Sequence, residues 1–169
     1  DTLSLVGDVL YYDGMQQLAK VRHNVVLKHV NSTLFTDSLD YDRLYNLGYF
    51  FEGGKLTDKD NILTSDWGEY SPTTREAVFN YHVKLDNPKF TILSDTLRYN
   101  TRTSLAHIVG PSTIDSGDSH ISSESGYYDT QTEQAYLLDR SELTNNGKKL
   151  VGDSLFYDSK AGIGKAFGN

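Results

Sequence analysis

Six acidic residues recur in this chain at intervals of 29: Asp8, Asp37, Asp66, Asp95, Glu124 and Asp153. Repeated carboxylates on stacked strands can hold Ca²⁺, as in nonapeptide β-rolls. Such a shell takes about six to eight oxygens, and one carboxylate per repeat supplies too few. The expected role is therefore structural, each carboxylate capping a bend by accepting backbone N–H groups. The histidines His23, His29, His82, His107 and His120 fall at different register positions and make no metal-ligand spacing. Without cysteine there is no thiolate ligand, thiol nucleophile or disulfide. Serine and aspartate are abundant, yet no nucleophile-elbow motif is present. Gly53-Gly54-Lys55 lacks the rest of a phosphate-binding loop and reads as a turn. Asn31-Ser32-Thr33 matches a glycosylation acceptor, a pattern common by chance. No catalytic residue, metal site or cofactor is expected.

The charge balance narrows the partners. Sixteen basic and 23 acidic residues leave a net charge of −7. Nucleic-acid binding needs clustered Lys and Arg, and no basic stripe appears, so no nucleic-acid partner is expected. No apolar run approaches the ~20 residues of a membrane helix. The first residue is Asp1 rather than Met, consistent with export and removal of a signal segment. Absence of cysteine fits an oxidising compartment.

The acidic row is one line of a longer repeat. Tyr12, Tyr41, Tyr70, Tyr99, Tyr128 and Tyr157 are spaced by 29, so half of the 12 tyrosines share one register position. Two residues earlier stand Leu10, Leu39, Gly68, Leu97, Gly126 and Leu155. Seven earlier the residue is always aliphatic: Leu5, Leu34, Leu63, Ile92, Ile121 and Leu150. Seven residues after each tyrosine comes a small residue: Ala19, Gly48, Ala77, Ala106, Ala135 and Gly164. Two further on are Val21, Phe50, Phe79, Ile108, Leu137 and Ala166, and six beyond those Leu27, Leu56, Leu85, Ile114 and Leu143. No insertion breaks the register.

Each half of the unit alternates with period two, the signature of a half-buried strand. Leu5 is out of phase with Leu10, which predicts a bulge or corner between them. Asp13-Gly14, Pro72-Thr73 and Asn100-Thr101 mark one set of turns. Asp86-Asn87-Pro88 and Asp115-Ser116-Gly117-Asp118 mark a second. The unit is two strands and two turns, and six units give about a dozen strands. One unit cannot bury its own apolar face, whereas stacked units can, along a continuous trough. The constant Ala/Gly position points to close backbone approach. Trp67 falls on the outward phase. The strands around Leu5–Tyr12 and Leu150–Tyr157 are expected to be unprotected edges, able to pair with another chain.

Gly7-Asp8-x-Leu10-x-Tyr12-Asp13, echoed in Gly152-Asp153-x-Leu155-x-Tyr157-Asp158 and in Ser94-Asp95-Thr96-Leu97-x-Tyr99-Asn100, resembles the OstA-type repeat of the LptA family. That repeat also occurs in the periplasmic part of LptD. The likeness runs through nearly the whole chain, with a spacing stricter than in LptA itself. It implies an all-β fold, an open antiparallel β-jellyroll built from six 29-residue two-strand repeats, as one domain over residues 1–169. It implies a periplasmic protein that binds lipopolysaccharide and shields the lipid A acyl chains on the way to the outer membrane, joining others head to tail. On that reading the groove is lined by Leu10, Tyr12, Val21, Leu39, Tyr41, Phe50, Tyr70, Phe79, Leu97, Tyr99, Ile108, Tyr128, Leu137, Leu155 and Tyr157. With a net negative chain, lipid phosphates are expected to stay in solvent. A second reading is a β-helical surface adhesin or carbohydrate-binding stalk, since a β-helix rung could also use 29 residues. An enzyme is a third reading, without a motif to support it.

Overall fold

A computed structural model describes residues 2–168. The reading of Asp1 as a processed start falls outside the described residues. The strands are β1 (Leu3–Val6), β2 (Val9–Asp13), β3 (Leu18–His29), β4 (Ser32–Asp42), β5 (Leu47–Phe50), β6 (Gly54–Asp58), β7 (Asn61–Ser65) and β8 (Trp67–Ser71). They continue as β9 (Glu76–Asn87), β10 (Phe90–Asn100), β11 (Leu105–Ser116), β12 (Ser119–Asp129), β13 (Gln134–Asn145), β14 (Lys148–Asp158) and β15 (Ile163–Phe167). All belong to one sheet, and every pairing is antiparallel. A parallel β-helix needs parallel ladders, so the β-helical rung is overturned.

The long strands are bent. An extended 11-residue strand spans over ~33 Å. Yet Ser119, the first residue of β12, lies 2.9 Å by its hydroxyl from that of Tyr157, near the end of β14. The ladders shift register in mid-strand, between Arg22 and Val25, Ser94 and Thr96, Val109 and Ser112, Ser122 and Ser125, and Leu138 and Ser141. Left-handed residues mark the same place in each unit: His23 and Asn24, Gly53, Tyr81 and His82, Gly110, Asp139 and Arg140. This is the corner expected between Leu5 and Leu10, where the chain breaks at Gly7-Asp8 between β1 and β2. The sheet thus folds along a line of bends into two facing walls. The hairpins at the far ends repeat too, with left-handed Gln17, Asn46, Arg75, Ser104, Glu133 and Gly162, spaced by 29.

Hydroxyls secure the bends. Ser65, Ser94 and Ser123 each donate from Oγ to the carbonyl two residues on, at 2.9–3.0 Å, and Thr36 does so at 3.4 Å. All four share one register position. The hairpin turns use the residue after the repeated tyrosine. Asp13, Asp42, Asn100 and Asp129 each accept two backbone N–H groups through Oδ1. These Asx turns fix the reversal.

One edge expectation changes. Residues 154–158 of β14 are paired with β15 on one side and β13 on the other. Leu155 is therefore internal, and the outermost strand of that wall is β15. At the opposite end β1 and β2 each pair only with β3 among the described residues.

Candidate functional site

Between the walls the repeat becomes three unbroken cross-strand rows. On the first wall Leu10, Val21, Leu39, Phe50, Gly68, Phe79, Leu97, Ile108, Gly126, Leu137, Leu155 and Ala166 are successive register partners from β2 to β15. On the same wall runs a second row, Tyr12, Ala19, Tyr41, Gly48, Tyr70, Ala77, Tyr99, Ala106, Tyr128, Ala135, Tyr157 and Gly164. Every tyrosine ring has a small neighbour on each paired strand, which is the room a ring needs and the physical reason for the Ala/Gly position. The opposite wall supplies Leu5, Leu27, Leu34, Leu56, Leu63, Leu85, Ile92, Ile114, Ile121, Leu143 and Leu150.

Thirteen of the fifteen expected groove residues are buried between the walls, Val21, Leu39, Phe79, Leu97, Tyr99, Ile108 and Tyr128 completely. Leu10 and Tyr12 are not, being 59% and 43% exposed. They stand on β2, which pairs only with β3 among the described residues, and this leaves their side chains uncovered. The interior is filled by these side chains, at about 1.5–3 kcal/mol of stabilisation for each large one. Gly68 and Gly126 interrupt the leucine row because neighbours take the space. A Cβ on Gly68 would lie 2.7 Å from the Phe50 ring, and one on Gly126 2.9 Å from Leu137 Cδ2.

Opposite the bends, the walls meet along a polar seam. Here the tyrosines of the first wall reach polar residues at the strand ends of the second. His29 Nδ1 lies 2.6 Å from the Tyr70 hydroxyl, in hydrogen-bond contact; burial, then the Arg75 charge, lowers the His29 pKa below its usual 6.5, so the imidazole is neutral at pH 7. Tyr99 donates to Asp58 Oδ2 at 2.5 Å and receives Asn61 Nδ2 at 3.1 Å. Burial, reinforced by the Asp58 bond, pushes the Tyr99 phenol up to about 12. Tyr157 donates to Ser119 Oγ.

Tyr128 breaks the pattern. The register position occupied elsewhere by Ser32, Asn61 and Ser119 is Phe90, whose ring centroid lies 4.6 Å from that of Tyr128. The buried Tyr128 hydroxyl has no hydrogen-bond partner, and burial raises its pKa strongly. From the sequence, His29 stands out only as a histidine outside any metal-ligand spacing, and Asp58, Asn61 and Ser119 do not stand out at all. His29, Asp58, Asn87, Ser116 and Asn145 are spaced by 29, but they share polarity rather than identity, so the line is faint.

The acidic row lies outside this interior. Asp8 Oδ2 accepts from Asn24 Nδ2 at 2.8 Å, and Asp66 Oδ2 lies 2.7 Å from His82 Nδ1. Among the described residues, Asp37 alone of this row accepts a backbone N–H, from Asn24 at 3.3 Å. Capping by the whole row is thus corrected: among the described residues the bends are held by the hydroxyls and by backbone pairs such as Asp8 N–H to the His23 carbonyl and Asp66 N–H to the Tyr81 carbonyl. Asp95, Glu124 and Asp153 line a cleft of about 920 Å³ along the bends with Arg140 and the serines beneath. Trp67 is outward and 43% exposed, its ring centroid 5.9 Å from that of Tyr81. Among the described residues no helix is long and apolar enough to cross a membrane.

The fold has a solved counterpart. The crystal structure of LptH from Pseudomonas aeruginosa, the LptA-homologous periplasmic component of its lipopolysaccharide transport device, is similar at a TM-score of 0.56 and 16% identity, over 64% of this chain and 82% of that one. No curated protein matches the chain. The model of the OstA-like protein family matches residues 1–95, more than half of the sequence and three of the six tyrosine registers. The chain belongs to the OstA-like protein family.

Proposed function

We propose that this chain, as one domain over residues 1–169, is a periplasmic lipopolysaccharide carrier that takes acyl chains between its two walls. The observation that carries the reading is the pair of unbroken apolar rows running the length of the stack. Family membership and the likeness to LptH support it. Exposing one fourteen-carbon chain to water costs roughly 10 kcal/mol at ~0.8 kcal/mol per CH₂, and an apolar interior removes that cost. Equivalent rungs offer nearly equal energies, so a chain slides without a deep trap. Because the interior is filled by its own side chains, lipid enters when the walls part along the seam, which only hydrogen bonds and side-chain packing hold. β2 and β15 then serve as edges for head-to-tail joining.

Photo-crosslinkers at Phe79 and Leu97 test the interior. They should capture lipopolysaccharide, while outward controls at Arg98 and Lys84 should not. Equal labelling of both sets would show adsorption to the surface and remove the reading.

A further inference from the structure

Three lysines gather at one rung of the seam. Lys59 lies in the turn between β6 and β7, Lys89 in the turn between β9 and β10, and Lys160 in the hairpin between β14 and β15. With Asp60 and Glu133 they line one cleft of about 270 Å³. The repeat does not ask for them. The positions equivalent to Lys59 include Val30, Pro88, Gly117 and Asn146; those of Lys160 are Met15, Leu44, Thr73, Arg102 and Gln131, with Arg102 the one other cation; those of Lys89 include Asn31, Asp60, Asp118 and Gly147. No other unit has lysine at any of the three. Against Asp60 and Glu133 the cleft carries a net charge of +1, in a chain of −7. Lys59 Nζ donates to Ser104 Oγ at 2.6 Å and Lys160 Nζ to the Gln131 carbonyl at 2.9 Å, which leaves each ammonium with further donors. Lys89 and Lys160 share one buried carboxylate, Glu133, at 3.6 and 3.8 Å, and their side chains stay 68% and 55% exposed.

The same rung is where the tyrosine has no polar partner across the seam, although Lys89 pairs with Glu133 and Asn61 with Thr130 beside it. Phe90 follows Lys89 directly, and Glu133 lies in the hairpin that follows Tyr128. Behind these surface contacts the walls meet through the rings of Phe90 and Tyr128, and the Tyr128 hydroxyl is unpartnered. Positive charge at the mouth and apolar contact behind it match an amphiphile with an anionic head. We propose that this rung is the entry point for a phosphorylated, acylated lipid, whose phosphate sits among Lys59, Lys89 and Lys160 while an acyl chain passes between Phe90 and Tyr128. This rests on the carrier reading above, and it replaces the expectation that lipid phosphates remain in solvent.

The test uses the full chain and four probes: lipid A, its dephosphorylated form, inorganic phosphate, and the neutral apolar dye N-phenylnaphthylamine. The wild type should bind lipid A about tenfold more tightly than the dephosphorylated lipid, the scale of one or two charge-assisted contacts. In K59Q/K89Q/K160Q that preference should vanish, with binding of the dye unchanged. Glu133→Gln, which frees two lysines, should tighten lipid A binding several-fold. Equal affinity of the wild type for both lipids overturns the headgroup site whatever the variants do, and so does a triple variant that folds and keeps the preference. Inorganic phosphate bound as tightly as lipid A would make the cleft a site for a free anion and overturn the lipid entry. Failure of every lipid and of the dye would instead remove the carrier reading itself, which separates the two failures.

Discussion

The Tyr99 hydroxyl lies 2.5 Å from Asp58 Oδ2, joining the inner faces of two walls across 41 residues of chain. Asp58 is 1% exposed and also receives Ser32 Oγ at 2.9 Å. Tyr99→Phe leaves a buried carboxylate short of one donor and should cost about 1.5–3 kcal/mol. Tyr128 occupies the equivalent position and has nothing to lose, since its hydroxyl is already buried without a partner. Tyr128→Phe should be neutral or stabilising by up to about 1–3 kcal/mol. Thermal or urea unfolding of the two variants checks this, and equal losses would mean that the seam bonds contribute nothing to stability.

The same phenols predict alkaline sensitivity. The folded value for Tyr99 is about 12 against an ordinary 10.0, and burial raises Tyr41, Tyr70 and Tyr128 as well. A raised folded pKa gives stability that is complete below the unfolded value and lost as pH climbs toward the folded one. The tyrosine contribution to stability should therefore be flat up to about pH 10 and fall between about pH 10 and 12. Tyrosinate absorbance followed with circular dichroism should show these phenols ionising together with unfolding. Full ionisation of all tyrosines near pH 10 with the sheet intact would contradict their burial.

Much of this fold was legible because stacking turns a fixed sequence interval into a straight line of contacts. Tyr12 to Tyr157 and Leu5 to Leu150 were readable since the same side-chain type recurs, and each became a continuous row. The bends were legible only as a phase slip between Leu5 and Leu10. Their fastening by Thr36, Ser65, Ser94 and Ser123 was not, because an isolated serine reads as solvent-facing until a carbonyl is placed beside it. The seam was missed for a related reason: His29, Asp58 and Ser119 do one job with three chemistries. Leu10 and Tyr12 were read as interior on pattern alone, yet burial depends on a neighbouring rung that pattern does not supply.

Two glycines should behave oppositely. Gly68 sits between Phe50 and Phe79, and a Cβ there would collide with the Val78 carbonyl oxygen and the Phe50 ring. Gly68→Ala should destabilise by at least about 1–3 kcal/mol through overpacking, although leucine is the commonest residue at that register. Gly48 stands in the tyrosine row where four of the other five units have alanine, and its nearest contacts would be an ordinary 3.4 Å. Gly48→Ala should be neutral or stabilising by about 0.4–1 kcal/mol, through lower unfolded-chain entropy. Urea midpoints decide, and loss of stability in Gly48→Ala would show that the row has no spare volume there.

Head-to-tail joining carries a register that can be tested. Within the chain, Val21 pairs with Leu39 and Ala19 with Tyr41. Ala166 and Gly164 on β15 are the equivalents of Val21 and Ala19, while Leu10 and Tyr12 on β2 are the equivalents of Leu39 and Tyr41. If β15 of one copy adds to β2 of the next as an internal strand would, Ala166 comes opposite Leu10 and Gly164 opposite Tyr12. The two exposed groove residues are then covered, and both inner rows continue into the next molecule. Such a contact is heterologous and does not close, so it yields filaments rather than fixed dimers. With no native cysteine, single-cysteine variants report it cleanly. Ala166→Cys mixed with Leu10→Cys should give a disulfide-linked pair under mild oxidation. Phe167→Cys mixed with Leu10→Cys should not, because one residue of slip turns the side chain to the opposite face. Light scattering on the wild type should show mass rising with concentration, and Lys165→Pro or Ala166→Pro should suppress it by removing a ladder donor, provided circular dichroism shows the sheet intact. Crosslinking of both cysteine pairs alike would mean random collision. A wild type that stays monomeric at high concentration would show that β2 and β15 do not pair.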